Sequence, residues 1–307
     1  MPAKPTASII ILTYNNLDLT RQCLESIYAK TDTPDFEVLT VDNASTDETP
    51  QYLQEFAESH PSLRAILNEA NEGFARGNNI GAAAAAGQYL VFLNNDVIVT
   101  KGWLAGLLRH LQDPAVGIVG PVTNSSGNES RIRVDYQDLQ GMDSFAERYT
   151  QDHAGQAFEI DMLAFLCVAM RREVFEEVGV LDERFGRGMF EDDDYALRLK
   201  EKGYKILCAE DVFLHHWGGA SFLKLEQVEY RRLFEENRHK FEEKWGIQWR
   251  PHLYRAELQR DQVREMVDGA AWLSSEIASL REEVEARGRS IDRLNRGVAE
   301  RDHRSVS

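Results

Sequence analysis

The residues best suited to chemistry in this sequence are two groups of polar residues rich in acids and one histidine pair. Asn94-Asn95-Asp96 follows the apolar run 89–93. A carboxylate at the end of a strand can hold a hard divalent cation, which can in turn neutralise a diphosphate. Four acids at 191–194 open a predicted helix, and their mutual repulsion favours a catalytic or cation-linked role for at least one of them. His215 and His216 add imidazole nitrogen, which together with a carboxylate suits Mn²⁺.

Each of these groups also has a structural explanation, which the residues alone leave open. An Asn/Asp tripeptide is a common turn between two strands. Acidic side chains at a helix N-terminus are favoured by the helix dipole, and Asp194 in particular is expected to cap the helix. A histidine pair after a strand is often part of the core or of the surface. The functional interpretation therefore depends on whether the groups meet in one place.

The elements that must position these groups alternate between strands and helices. Short β-branched apolar runs predict strands buried on both faces, and segments with apolar residues at helical spacing lie between them. This alternation predicts an α/β fold with a mostly parallel, doubly wound, Rossmann-like sheet. The predicted strands are 8–13, 36–41, 63–67, 89–93, 164–170, 204–207 and 212–214, and the predicted helices are 17–27, 46–59, 73–86, 172–178 and 192–202.

Polar residues gather directly after the first four predicted strands. They lie at 13–16, 42–47, 68–73 and 94–96. Sheets of this class bind ligands outside the carboxyl ends of their strands, where loops gather and helix N-termini point. Four such clusters in register predict one shared site at that edge of the sheet.

Composition narrows the functions open to the chain. Of its 307 residues, 43% are hydrophobic and 28% are charged, which is enough apolar material for a large core. Acidic residues outnumber basic ones by 51 to 35, and the formal net charge of −16 disfavours nucleic acid as a general partner. The three cysteines form no C-x-x-C pair, and the sequence has neither a signal-peptide pattern nor an apolar run of membrane-spanning length. We therefore expect a protein without disulfides or a transmembrane segment, in the cytoplasm or peripheral to the inner face of the membrane.

Two later regions differ from the alternating pattern. Region 123–156 is polar and is predicted to be an excursion or lid rather than core. After Pro251 the chain becomes highly charged, and ten of the eleven alternating heptad positions between 263 and 298 are apolar, with Arg287 as the exception. This repeat predicts a domain at 1–250 followed by an α-helical coiled-coil segment at 251–307 that forms a homo-oligomer. A long helix packed back on its own domain is the alternative.

Seven segments in a fixed order give the chain a resemblance to a known family. It is similar to the family 2 glycosyltransferases with a GT-A fold, especially their bacterial rhamnosyltransferase-like branch, over about residues 8 to 245. The segments are SIIILTYNN (8–16), VDNASTD (41–47), NEGFARGNNIG (71–81), YLVFLNNDV (89–97), CVAMRREVFEEVGVLDERF (167–185), FEDDDYALRLKEKGY (190–204) and HHWGGASF (215–222). No single segment is specific, but their common order is.

The resemblance implies a binding site for a nucleotide-sugar. Thr13 and its neighbours match the segment that lines the nucleotide pocket, and Asp42 matches the acid that hydrogen-bonds the base. The glycine-containing loop at 71–78 matches the segment near the ribose and the diphosphate, where a helix N-terminus and a glycine allow backbone to approach anionic oxygen. The implied nucleotide-sugar-binding residues are Thr13, Tyr14, Asn15, Asp42, Asn71, Gly73, Phe74, Ala75, Asn78, Asn94 and Asn95.

The same resemblance implies a metal and a catalytic base. Asp96 corresponds to the metal-binding acid of the family's D-x-D motif, while Asn94 stands where the first acid of that motif would be, and its amide oxygen can still ligate a metal or reach the ribose. His215 or His216 corresponds to the late histidine that adds a further metal ligand. The Glu191-Asp192 pair corresponds to the family's E-D pair, in which the aspartate is the catalytic base of inverting members and the glutamate supports it. The implied cofactor is a divalent cation, Mn²⁺ or Mg²⁺.

Taken together, the resemblance implies an inverting, metal-dependent glycosyltransferase. It would move a sugar from a UDP- or dTDP-sugar to a hydroxyl of a glycan, lipid-linked or protein acceptor in cell-surface polysaccharide biosynthesis. Separately, we expect region 123–156 to decide which acceptor is used. Asn94 leaves a second interpretation open, a catalytically degenerate nucleotide- or glycan-binding scaffold assembled through its coiled coil. A nicotinamide-dependent dehydrogenase and a P-loop enzyme are disfavoured, because neither G-x-G-x-x-G after the first strand nor G-x-x-x-x-G-K-[ST] occurs.

Overall fold

A computed structural model describes residues 5–32, 35–218 and 227–255 of the chain. The predicted heptad repeat at 263–298 lies outside the described residues. Among the helices of the described part, none combines the length and the apolar composition that crossing a bilayer requires.

The described residues form strands and helices that alternate along most of the chain. Most predicted elements are present, with shifts of a few residues at their ends. In chain order they are β1 (Ala7–Thr13), α1 (Leu17–Lys30), β2 (Phe36–Asp42), α2 (Thr49–Ser59), β3 (Leu63–Leu67), α3 (Phe74–Ala84), β4 (Tyr89–Asn94), β5 (Val97–Ile98), α4 (Trp103–His110), β6 (Val116–Thr123), α5 (Leu139–Asp152), β7 (Ala157–Glu159), β8 (Cys167–Arg171), α6 (Arg172–Val178), α7 (Glu191–Glu201), β9 (Lys205–His216) and α8 (Gln227–Trp245).

The strands form one sheet in the order β3-β2-β1-β4-β8-β6-β9-β5, with β7 paired to β9. The first half is parallel, since β1 pairs with β2 and β4, and β2 with β3. The second half is mixed, because β8 runs antiparallel to both β4 and β6, and β5 and β7 run antiparallel to β9. The prediction of a mostly parallel sheet is therefore wrong for this half. A run that is apolar on both faces indicates burial but carries no information on strand direction.

The core lies on both faces of the sheet, as the doubly wound prediction requires. In β1, Ile10 belongs to one apolar cluster, while Ile9 and Ile11 belong to the other. Helix α3 approaches β1 closely because it carries glycine at the contact. A Cβ atom at Gly81 would lie 2.4 Å from Ile10 Cγ2, and one at Gly77 would lie 2.3 Å from Leu12 Cδ1. This close packing places the N-terminus of α3 beside the carboxyl ends of β1 and β2.

Two predictions for the second half of the domain need correction. Region 123–156 is not a lid as a whole, because α5 packs on β9 with Met142 and Phe145 buried, and the rings of Phe145 and Phe213 lie 5.1 Å apart. The two short strands predicted at 204–207 and 212–214 form the single strand β9. Of the two acids that interrupt the apolar pattern, Glu210 and Asp211, the buried one is Asp211, which is tolerated inside the strand because Arg109 and His110 pair with its carboxylate.

Helix α8 fixes the turn that leads into α7. The amide of Asn237 is fully buried, and its Nδ2 donates to the carbonyl oxygens of Phe185 at 2.7 Å and Gly188 at 2.8 Å. The rings of Phe241 and Phe190 pack beside this contact, with centroids 5.6 Å apart. A C-terminal helix thus holds in place the residues immediately before Glu191.

We expect Asn237→Ala to lower the free energy of unfolding by about 1–3 kcal/mol, because two buried carbonyl groups lose their donor. Urea unfolding followed by circular dichroism measures this change. Glu236→Ala, at the neighbouring exposed position of α8, is the control and should change the free energy by less than about 0.5 kcal/mol. Equal stabilities of the two variants would show that the Asn237 amide does not fasten the turn.

Candidate active site

One cavity of about 360 Å³ opens at the carboxyl ends of β1 and β4. It brings together Asp96, from the loop after β4, and Asp192, from the first turn of α7, although the two are far apart in the sequence. The residues that line it are Leu12, Thr13, Tyr14, Asn43, Asn71, Gly73, Phe74, Asn94, Asn95, Asp96, Ser126, Gly127, Ala164, Phe165, Leu166, Arg187, Met189, Glu191, Asp192 and His216. The acidic groups and one of the two histidines therefore share a single site.

The structure divides the candidate residues into those that line the cavity and those that lie behind it. Lining residues are Thr13, Tyr14, Asn71, Gly73, Phe74, Asn94, Asn95, Asp96, Glu191, Asp192 and His216. Candidates outside the lining are Asn15, Asp42, Ala75, Asn78 and His215. The second set supports the first, as the contacts of its members show.

Asp42 is buried and its carboxylate is used within the protein. Its Oδ1 accepts hydrogen bonds from Thr13 Oγ1 at 3.0 Å and Ser45 Oγ at 2.5 Å, and its Oδ2 accepts one from the backbone N–H of Ser45 at 2.8 Å. These contacts join the ends of β1 and β2 and place Thr13 at the cavity. In this structure Asp42 therefore organises the pocket wall and does not face the cavity.

Asn15, Ala75 and Asn78 also have structural contacts. Asn15 Oδ1 accepts from the backbone N–H of Thr46 at 2.8 Å, and the Asn78 amide donates back to the carbonyl of Phe74 at 3.0 Å inside α3. Ala75 belongs to the apolar core on one face of the sheet. Their sequence positions next to lining residues explain why a segment-by-segment comparison includes them.

The two histidines at the end of β9 face different surroundings, as neighbouring residues of a strand do. His215 Nδ1 lies 2.7 Å from the hydroxyl of Tyr136, and its ring contacts Trp217 edge to face at 4.9 Å. Burial lowers the pKa of His215 to about 4, so its ring is neutral. The sequence left open which of the two histidines meets the metal; of the two, His216 is the one that reaches Asp96.

His216 and Asp96 face each other at the cavity wall. His216 Nε2 lies 3.2 Å from Asp96 Oδ1, and His216 Nδ1 lies 2.8 Å from the carbonyl oxygen of Ser125. Because a carbonyl only accepts, the hydrogen of the neutral ring belongs on Nδ1, and the Nε2 lone pair then faces Asp96. Asp96 Oδ1 is buried and accepts no hydrogen bond. Burial alone would lower the pKa of His216, but the Asp96 carboxylate raises it above its usual value.

This donor set fits a divalent cation. A metal-binding histidine commonly donates its second ring N–H to a backbone carbonyl, which is the arrangement of His216 with Ser125. The residues of the described ranges include no cluster of three or more His, Cys, Asp or Glu side chains positioned around one ion. A cation at Asp96 and His216 would therefore need further ligands of another kind, such as amide or carbonyl oxygens, water or the bound substrate.

The acids at the start of α7 have different surroundings. Glu191 and Asp192 line the cavity, and Glu191 Oε2 is buried without a hydrogen-bond partner. Asp194 Oδ2 accepts from Arg198 Nε at 2.9 Å, and its Oδ1 accepts from Trp245 Nε1 at 3.0 Å. Asp194 is therefore an anchor between α7 and α8 and not the predicted N-terminal cap.

Burial and mutual repulsion raise the pKa of both cavity acids. For Glu191 the largest cause is burial, followed by the charge of Asp192, and for Asp192 it is burial followed by the charge of Asp193. The turn before them is conformationally unusual, since Met189 and Phe190 both have left-handed backbone, with φ of 76° and 75°. Buried acids held by such a turn are typical of a site that handles protons.

Several lining residues escaped the sequence prediction. Asn43 donates from Nδ2 to the carbonyl of Gly73 at 3.0 Å and so fixes the loop before α3. Arg187 lines the cavity and pairs with Glu229 of α8 at 2.6 Å. Its position between Gly186 and Gly188, in a turn just before the acids, is the signal that could have identified it.

The loop after β6 also contributes, through Ser126 and Gly127. Its base is joined to His216 by Asn124, whose Oδ1 accepts from the His216 backbone N–H at 2.8 Å and whose Nδ2 donates to the His216 carbonyl at 3.1 Å. Asn128 holds the loop from the other side by donating to the carbonyl of Met162 at 2.9 Å. This loop belongs to region 123–156, which the sequence predicted to be an excursion or lid, and none of its residues was among the candidate site residues.

The chain is similar to known proteins in both sequence and fold. The O-antigen biosynthesis protein RfbC of Myxococcus xanthus is 33% identical over 231 residues, which cover 71% of this chain and 18% of that protein. The mannosyltransferase PcManGT from Pyrobaculum calidifontis, solved in complex with GDP-Man and Mn²⁺, matches with a TM-score of 0.54 and 23% identity, covering 72% of this chain and 59% of that one. GalNAc-T7, solved with UDP, GalNAc and Mn²⁺, matches with a TM-score of 0.58 and 19% identity, covering 78% and 50%. At these identities the two solved structures establish the fold, which is α/β of the GT-A type.

The chain spans only about a fifth of the length of RfbC. The family model described as "Glycosyl transferase family 2" matches residues 8–179, which is more than half of the chain. This match confirms the family resemblance, and it includes the first four of the seven sequence segments in full and part of the fifth. The chain therefore belongs to glycosyl transferase family 2 and carries the glycosyltransferase domain of that family.

Proposed function

We propose that this protein transfers a sugar from a nucleotide-sugar donor to a hydroxyl group of an acceptor, with inversion at the anomeric carbon. The observation that carries the proposal is the meeting of Asp96, His216 and Asp192 at one cavity. Family membership and the fold shared with two enzymes solved with nucleotides and Mn²⁺ support it. A UDP- or dTDP-sugar is our first choice of donor, and a glycan, lipid-linked or protein hydroxyl is the acceptor. The O-antigen role in the name of RfbC supports a part in cell-surface polysaccharide biosynthesis.

In this proposal the walls from β1, β4 and α3 hold the donor. Thr13 and Tyr14 lie at the nucleotide end, while Asn71, Gly73 and Phe74 bring backbone at the start of α3 to the diphosphate. Gly73 has φ of +81°, and a Cβ atom there would lie 2.1 Å from the carbonyl oxygen of Gly186. Only glycine therefore fits at the point where α3 meets the turn before the acids.

Asp96 and His216 would hold the divalent cation, Mn²⁺ or Mg²⁺. When bound, such an ion supplies Lewis-acid stabilisation of the negative charge that grows on the departing diphosphate. Asn94 and Asn95 line the same wall and offer amide oxygen and nitrogen to the donor. Asn95 is held in place by donating to Thr20 Oγ1 at 2.9 Å.

Asp192 acts as the general base. It removes the proton from the acceptor hydroxyl as that oxygen bonds to the anomeric carbon, while the bond from that carbon to the diphosphate oxygen breaks and the nucleoside diphosphate leaves. Burial raises the pKa of Asp192 towards the range in which a carboxylate is an effective base near neutral pH. Glu191, next to it on the same wall, supports its position.

We expect Asp192→Asn to lower the rate of sugar transfer about 100- to 10,000-fold, because the amide does not accept the proton. Donor binding, measured by isothermal titration with UDP-, dTDP- and GDP-sugars, should stay within a factor of about three, since the change removes a charge but little volume. Asp143→Asn, at an exposed site on α5, is the matched control. Undiminished turnover of Asp192→Asn would remove this residue from the mechanism.

We expect Asp96→Asn to weaken Mn²⁺ binding at least about 10-fold, since the carboxylate is the charged ligand of the site. Titration of Mn²⁺ in the presence of the nucleoside diphosphate, followed by electron paramagnetic resonance, measures the affinity directly. Chelation with EDTA should abolish transfer by the unsubstituted protein, and added Mn²⁺ should restore it. An affinity equal to that of the Asp143→Asn control would refute the assignment of Asp96.

Asn94 favours a second candidate function, a nucleotide- or glycan-binding scaffold without catalysis. It lines the cavity at the position of the family's first metal-binding acid. The scaffold predicts donor binding by the unsubstituted protein without any turnover under the conditions of the Asp192→Asn experiment. Glu191 weighs against it, because a buried carboxylate without a partner destabilises the fold and serves no purpose in a passive scaffold.

We further propose that residues 251–307 form an oligomerisation segment that follows the domain at 1–250 in the chain. We also propose that the protein works in the cytoplasm or at the inner face of the membrane. Arg255 still pairs with Glu210 of β9 at 2.9 Å, so a test should retain it. A chain that ends after residue 255 should sediment as a monomer, while the full chain should sediment as an oligomer. An oligomer of unchanged size after truncation would refute the role of the heptads.

A further inference from the structure

A segment after α8 lies against the start of α7 and contacts the acid Asp193 there. We call residues 246–255 the strap. Trp249 packs its ring against Phe190 and Phe234, each with centroids 5.4 Å away, and Arg255 donates to the carbonyl oxygen of Glu129 at 2.7 Å. The strap is thus fastened on both sides of His252. The family match ends at residue 179, well before this segment.

His252 and Trp249 meet on one oxygen of Asp193. His252 Nε2 lies 2.8 Å from Asp193 Oδ1, and Trp249 Nε1 donates to the same oxygen at 3.0 Å. The indole N–H can only donate, so Asp193 Oδ1 accepts from Trp249 and faces the His252 ring at the same time. The side chains of His252 and Asp193 are mostly buried, with 23% and 12% exposed, so their charges interact with little screening by water.

Asp193 is in turn joined to Asp192. The backbone N–H of Asp193 donates to Asp192 Oδ1 at 3.0 Å, and the two carboxylates belong to consecutive residues. Burial and the charge of Asp193 raise the pKa of Asp192, whereas His252 lowers it. Burial alone would lower the pKa of His252, but hydrogen bonding to Asp193 and the charges of Asp193, Asp192 and Asp161 raise it. The geometry therefore couples the imidazole to the cavity acid through a single residue.

We propose that His252 is a positioning residue for Asp192: its imidazolium offsets the charge of Asp193 and so keeps Asp192 anionic, and able to accept a proton, near neutral pH. This inference rests on the proposed function, in which Asp192 is the base. It assigns to the strap a part in proton transfer, with the histidine on the far side of Asp193 from the cavity.

Other charged groups around this chain of contacts stay the same when His252 is changed. On α7 itself Asp194 is neutralised by Arg198 and Lys244, and beside the strap Asp161 pairs with Lys200 at 2.5 Å. Among the described residues, the other charged or titratable groups that line the two cavities are Tyr14, Glu191, Arg187, Asp96 and His216 at the first and Arg250 and Glu129 at the neighbouring one. A change of charge at His252 alone therefore isolates its contribution.

The test uses His252→Gln in the full chain. Glutamine can still donate a hydrogen bond to Asp193 but carries no charge. We expect the acidic limb of the pH–rate profile to move upwards by about 0.5 to 1 unit, which is a loss of about 3- to 10-fold at pH 6 with recovery of the full rate at high pH. A merely structural role would lower the rate equally at all pH values and leave the limb in place. His239→Gln, an exposed histidine on α8 whose side chain is 72% exposed, is the matched control and should leave the profile unchanged.

A second measurement separates failure of this inference from failure of the proposed function. In ¹⁵N-labelled protein the imidazole signal of His252, assigned by its loss in His252→Gln, should titrate above the usual histidine range. In Asp193→Asn, where the amide oxygen can still accept, it should titrate at least about 0.5 unit lower. Absence of turnover with every donor would defeat the proposed function. The titration of His252 would then still show whether its imidazole is coupled to the charge of Asp193. A limb that stays in place in His252→Gln, or a His252 titration that is the same with and without the Asp193 charge, would overturn the proposal.

Discussion

Compensation of buried negative charge is the constraint on which this active site depends. Five acids gather around the cavity and the start of α7, in surroundings where an uncompensated carboxylate is costly. Asp194 is neutralised by Arg198 and Lys244, and Asp193 is paired with His252. Among the described residues, the buried carboxylate oxygens that accept no hydrogen bond belong to Asp96 and Glu191, and both residues line the cavity. The protein therefore compensates the acids outside the cavity by itself and leaves those inside it to be satisfied by a cation or a proton.

The compensating groups come from a part of the chain that the family model does not cover. Lys244, Trp245, Trp249 and His252 all lie on α8 or just after it, whereas the match ends at residue 179. The first part of the domain thus supplies most of the cavity wall, while α7 and β9, which carry Asp192 and His216, also lie beyond the match. This arrangement makes α7 depend on contacts from the last part of the described chain. In the proposed mechanism, it also means that the catalytic unit extends at least to residue 255.

Sequence reasoning succeeded where a pattern reports on burial, and failed where the outcome depends on partners distant in the chain. Apolar runs located β1, β2, β3 and β4 with their polar ends, and with them most of the cavity wall. The same pattern contains no direction, so it did not reveal that β8 runs antiparallel between β4 and β6. Neighbouring residues of a strand lie on opposite faces of the sheet, so His215 and His216 cannot both meet Asp96. The pairing of β9 with β5, which the sequence does not reveal, decides that His216 does. Arg187 and Asn43 were missed because their roles arise from contacts with α8 and with the loop before α3.

The charge constraint also gives a physical reason for Asn94. An acid at this position would place one more carboxylate on a wall that already has Asp96 opposite Glu191 and Asp192, and it would repel an incoming diphosphate. An amide removes that repulsion but leaves the cation with fewer protein ligands, since only Asp96 and His216 face each other there. In the proposed mechanism, oxygen atoms of the donor would add to the ligands that the protein offers. Asn94 is therefore compatible with an active transferase in which metal binding depends on the nucleotide.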